Sequence, residues 1–182
     1  VQSVLRSWNA PEHLTHAALF HSIYGTEGFQ GFSVPLSQRA ELAALIGPKA
    51  ERLAWIFCMV DRATVDATVL PPAPHPAAAI AKDTSAPLPT FYSRPELGAF
   101  PIPLKSHEEW LDFLTLSLAD WLEQVEGAAQ KEVPLPIGGI LWPMGEAWAY
   151  RRDAYRAMSE LLGTVGVAAA PKMYAEGFNR EP

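Results

Sequence analysis

The chain has one cysteine in 182 residues, Cys58, so it holds no intramolecular disulfide and no Cys cluster for a metal. No run reaches the roughly 18 consecutive apolar residues of a membrane helix, and the first residues lack the charged-then-apolar layout of a signal peptide. A cytoplasmic protein with no membrane partner is the expectation. Basic runs are also missing: 14 Lys and Arg against 20 Asp and Glu leave a net charge of −6, which argues against nucleic acid and anionic membranes as partners. Neither a phosphate-binding glycine loop nor a GxSxG elbow occurs, so nucleophilic serine chemistry has no support. What is present is ordinary globular material, 49% hydrophobic and 19% charged, in a length that suits one domain.

Helical spacing dominates. Val1, Val4, Leu5 and Trp8 fall on one helix face from the first residue, which reads as a helix already under way, with further residues expected upstream. Asn9, Pro11 and Glu12 read as the N-terminus of a helix from about Ala10 to Ile23, with Asn9 as its cap. Ser37 is placed to cap a helix over Gln38 to Ile46, and Gly47-Pro48 opens another through about Asp66 with Leu53, Ile56, Phe57 and Val60 as its stripe. Between Pro71 and Pro103 lie nine of the seventeen prolines, a long excursion that crosses the body or covers a site, pinned by Phe91, Tyr92 and Phe100. Ser106 and Glu109 form a capping-box pattern ahead of an amphipathic helix to about Glu126 carrying Trp110, Phe113, Leu114, Leu118, Trp121 and Leu122. After a loop from Pro134 to Gly145, a helix through Leu162 and a shorter one over Pro171 to Phe178 complete the chain. With almost no period-two pattern, the expected class is all-α in a single domain over residues 1–182.

Chemistry concentrates in HLTHAALFHSIYGTE, where His13, His16 and His21 fall within nine residues. At ~100° per residue, His13 and His16 are ~60° apart but His21 lies ~140° from His16, so one helix face cannot present all three to one ion. His21 ends an apolar run and should face inward, where an imidazole needs a hydrogen-bond partner or a metal. The strings HAALFHSIYGTEGF and IGPKAERLAWIFCMVDR resemble the HD-domain superfamily of helical metal-dependent proteins. They are closest to bacterial and plant HD-like domains of unestablished function that carry FHSIYGT in place of the His-Asp pair. The resemblance covers about Val1 to Asp66, with a diffuse extension over Ser106 to Glu126.

That resemblance implies an HD-like helical bundle, and a divalent ion, Mn, Fe or Mg, held by His21, by Asp61 and by a histidine upstream of Val1. Ser22 replaces the paired aspartate, so a further carboxylate is needed, and Glu27 is the first candidate, ahead of Asp66, and is also the proposed catalytic group. Tyr24 and Arg62 are the expected substrate-binding residues for a small organic or phosphorylated molecule. Bland readings stand beside these: Asp61 with Arg62 as a surface ion pair, Glu27 solvated, Tyr24 and Thr26 holding the turn, and His13, His75 and His107 exposed. The functions implied are a metal-dependent phosphohydrolase, a diiron oxygenase, or a degenerate non-catalytic domain that binds a ligand, a partner or a second copy as a homo-oligomer.

Overall fold

The computed structural model describes residues 1–29, 34–69, 85, 87–130, 156–163 and 167–179. Helix α1 spans Gln2–Ser7 and α2 spans Glu12–Leu19. Asn9 does not cap α2. It closes α1 in the left-handed region at φ 55°, with its own amide on the Arg6 carbonyl and the Ala10 amide on the Leu5 carbonyl. This is the Schellman arrangement, for which Asn is the best residue after Gly; Pro11 takes the N-cap position of α2 without a side-chain hydrogen bond.

A turn of 3-10 helix, Leu36–Gln38, leads into α3 (Arg39–Ile46), and Gly47 at φ 90° turns the chain into α4 (Pro48–Met59). The α4 stripe is as expected, with Leu53, Ile56 and Phe57 all buried. The helix does not run on to Asp66. Val60 is extended (φ −66°, ψ 137°) and forms an antiparallel bridge to Ser93, while the Asp61 amide donates to the Tyr92 carbonyl at 2.9 Å. A new helix, α5 (Arg62–Val69), then starts. The pairing that breaks the helix comes from residues some thirty positions later, so local propensity does not reveal it.

Those later residues form a small antiparallel sheet of β1 (Thr90–Tyr92) and β2 (Pro101–Pro103), with Phe91 opposite Ile102 and both wholly buried. The described architecture is therefore mainly helical with a two-stranded ribbon, rather than all-α. Prolines at 101 and 103 are tolerated because every strand of a two-stranded ribbon has an open edge. Of the three aromatics expected to pin this part of the excursion, Phe91 packs against Phe113 in the core, whereas Phe100 stacks on the partly buried Trp55 of α4 and, like Tyr92, is exposed.

Helix α6 (His107–Gln130) is the central element, packed on α1, α2 and α4. Ser106 caps it by accepting the Glu109 amide at 3.1 Å, and the Glu109 carboxylate reaches back to the Lys105 amide at 2.7 Å. Such an exchange contributes about 1 kcal/mol. From Glu109 to Leu122 every residue but Leu111 is buried, polar ones included. Helix α7 (156–163) and α8 (Ala170–Asn179) add Met158, Leu161, Leu162 and Met173 to the same core. The first part of the proline-rich excursion with His75, the loop Pro134 to Gly145, and the start of the helix expected through Leu162 lie outside the described residues.

Candidate functional site

Helix α2 stops four residues short of Ile23, and successive tight turns carry the chain from Phe20 to Gly25, whose φ of 79° suits glycine. This geometry swings His21 beneath α2. Its Nδ1 lies 2.7 Å from the Ala18 carbonyl, its ring meets Phe57 edge-on at 5.3 Å, and its Nε2 faces Oδ1 of Asp120 on α6 at 3.3 Å. Because a carbonyl only accepts, Nδ1 carries the proton and the neutral ring has its lone pair on Nε2, pointed at a carboxylate. Two acceptors face each other unless a proton or a cation lies between them. Burial alone would lower the His21 pKa; the hydrogen bond and charge of Asp120, helped by the Ala18 carbonyl, outweigh it and raise the pKa.

The surrounding side chains fix this turn from three sides. Tyr24 donates its hydroxyl to Glu51 at 2.9 Å, and Arg39 grips the same carboxylate through Nε at 2.7 Å and Nη2 at 3.0 Å. Burial, and then Glu51, push the Tyr24 phenol well above its ordinary value. Cys58 donates its thiol to the His21 carbonyl at 3.0 Å. Burial pushes that thiol up to about 11, against partial opposition from a Tyr24 backbone hydrogen bond and from Arg94 and Arg62, so it is not a nucleophile near neutral pH. Arg62 lies 4.0 Å over the Phe57 ring, with Nη1 3.5 Å from the Ser117 hydroxyl.

His21 therefore meets a carboxylate, and that carboxylate belongs to Asp120. The Asp61 carboxylate accepts the Ala63 amide at 2.9 Å and caps α5. Glu27 is exposed, with Oε2 3.5 Å from the Arg62 amide, the long limit of a hydrogen bond. Tyr24 is buried and bonded to Glu51. Ser22 contributes its carbonyl to the Gly25 amide. His13, expected at the surface, is half-buried and shares Asp112 Oδ2 with Lys49, at 2.7 Å and 3.1 Å. His16 lies 3.6 Å from Glu12. Among the described residues no group of three or more His, Cys, Asp or Glu is placed to hold one metal ion. None of the described helices is long and apolar enough to cross a membrane.

Asp120 was missed by sequence reasoning because an aspartate on an amphipathic helix is ordinarily assigned to the wet face. The signal was available: LDFLTLSLADWL is apolar almost all round, and a helix of that kind is buried, with its few polar residues inside.

Residues 1–62 match the model of a domain of unknown function, DUF6817. No curated protein and no solved structure matches the chain. The matched segment contains His21, Glu27 and the start of α5, whereas Asp120 and Arg94 lie outside it.

Proposed function

We propose that His21 and Asp120 are two protein ligands of one divalent ion, and that the domain is a metal-dependent hydrolase of the HD type acting on a small organic or phosphorylated molecule. The observation that carries this reading is the 3.3 Å separation of Nε2 and Oδ1. Two ligands with bonds of about 2.05 Å at a tetrahedral angle stand about 3.3 Å apart. The second support is the Nδ1 contact with Ala18, because a ligating histidine characteristically gives its other ring hydrogen to a carbonyl or carboxylate. One imidazole and one carboxylate suit Mn or Fe better than Mg, which favours an all-oxygen set. Bound there, the ion would supply a water of lowered pKa. Glu27, beside the Arg62 amide, is the candidate to take a proton from that water, and Arg62 the candidate to hold an anionic group of the substrate. Acid–base catalysis by His21 alone fits poorly, since neither ring nitrogen is left to face a substrate.

A second reading has its own support. With both ring nitrogens satisfied inside the chain, an imidazolium closes the pair with no ion, as a non-catalytic domain would use it. Calorimetric titration of Mn2+ into chelator-stripped protein, with hydrolysis of a small phosphomonoester measured in parallel, separates the two. The metal reading expects binding and turnover that are both lost in His21→Gln and Asp120→Asn. Absence of Mn2+ binding by the intact chain leaves the non-catalytic reading.

A further inference from the structure

Arg94 lies where the proline-rich excursion returns to the helical body, and its backbone is held on both sides. Its amide donates to the Met59 carbonyl at 3.0 Å, and its own carbonyl accepts the Leu97 amide at 2.9 Å. The side chain is 3% exposed. Nη2 lies 3.4 Å from the Gly25 carbonyl in the turn that follows His21. Among the described residues Nε has no hydrogen-bond partner, and Nη1, although 3.0 Å from Oε1 of Glu96, is not aligned for a hydrogen bond with it. A guanidinium carries five N–H donors and cannot shed its charge, so burying it with one long hydrogen bond and one misaligned ion pair is costly.

The partner explains the arrangement. Glu96 is 59% exposed and sits on the single 3-10 turn Pro95–Leu97, which ends at Gly98 with φ 101°. Its carboxylate covers Nη1 from the solvent side without the in-line geometry of a committed Arg–carboxylate pair. Of the pair only the Glu96 carboxylate is exposed, and it regains water when it swings aside, so the exchange needs no more than an incoming anion that takes its place at Nη1. That swing opens a pre-positioned guanidinium to an acceptor better placed than Glu96.

We propose that Arg94 is the binding residue for a small oxyanion, carboxylate or phosphate, and that Glu96 is the internal anion it displaces. The site lies where the Gly25 turn meets the 95–97 turn. It goes beyond the reading at His21 and Asp120 and needs no metal there. A ligand bound at Arg94 would reach the turn carrying His21 through the Gly25 carbonyl.

The test uses the whole chain stripped with chelator, so that failure of the metal reading does not affect it. Inorganic phosphate and acetate are titrated separately at constant ionic strength in chloride, and binding is read from the backbone amide resonances of Gly25, Leu97 and Gly98, which flank Arg94 and are present in every variant. Glu96→Gln, an exposed change, should bind one or both anions about tenfold more tightly than the intact chain, equivalent to about 1.4 kcal/mol. The tighter anion identifies the chemistry as phosphoryl or carboxyl. Arg94→Lys should lose the gain in the Glu96→Gln background. Equal affinity of the intact chain and Glu96→Gln overturns the proposal whether or not Arg94→Lys folds, and so does retention of the gain after Arg94→Lys.

Discussion

Replacing Glu51 by Gln tests what holds the His21 turn in place. Glu51 is 5% exposed and accepts three hydrogen bonds, one from Tyr24 and two from Arg39. Hydrogen bonds to a charged group contribute about 1.5–3 kcal/mol each. Gln keeps one acceptor, so roughly two such bonds are weakened or lost. Against that, the Arg39 side chain is a third exposed and remains 4.5 Å over the Trp55 ring, so its charge is partly rehydrated rather than stranded. The balance is a loss of about 2–4 kcal/mol, which for a chain of this size lowers Tm by roughly 4–16 °C. Tyr24→Phe removes one bond and should cost about 1–2 kcal/mol. Because the Tyr24 hydroxyl donates to Glu51 itself, urea unfolding of both single variants and the double variant should show a coupling of about 1 kcal/mol. A cost below about 1 kcal/mol for Glu51→Gln, or strict additivity, would refute the view that this buried carboxylate anchors the turn.

Stability of the metal-free protein should depend on pH through His21. Its folded pKa is raised, so its contribution is fully present below the unfolded value of about 6.5 and is lost as pH climbs through the folded value. Melting curves from pH 5 to 8 should show this decline in the intact chain and not in Asp120→Asn, and identical profiles would remove the pair as its source. Asp61→Ala should cost about 1 kcal/mol as a lost helix cap, measured by urea unfolding, and a neutral result would show that the Ala63 contact contributes nothing. Phe91→Ala should cost about 3–5 kcal/mol, since Phe91 is wholly buried against Phe113. A cost near zero would mean that the returning strand is not part of the core.

The helices of this chain were legible wherever apolar spacing and caps agreed. Gly47-Pro48, the α4 stripe, the Ser106 and Glu109 exchange and the inward face of α6 all stand as the pattern implies. What the pattern did not carry were contacts between distant segments. Val60 leaves the helix because Ser93 pairs with it, and that break makes Asp61 a cap for α5. Asn9 lies between two helices, and its residue type fits either the start of one or the left-handed end of the other; only the backbone decides. His21 was recognisable as an inward-facing imidazole at the end of an apolar run. Its partner was not, because Asp120 lies 99 positions away on a helix whose polar residues are turned inward.

The central claim is that His21 and Asp120 share an ion, and metal content measures it most directly. The intact chain, Asp120→Asn and Asp61→Asn are purified without chelator, checked for folding by circular dichroism, and analysed for bound metal. Asp61→Asn is the control, because the Asp61 carboxylate is engaged with the Ala63 amide. The account predicts about one ion per chain in the intact protein and in Asp61→Asn, and about a tenth of that or less in folded Asp120→Asn, since loss of a ligand should weaken binding more than the 10–100-fold typical of its supporting partners. Full metal content in Asp120→Asn, or its loss in Asp61→Asn alone, would contradict it.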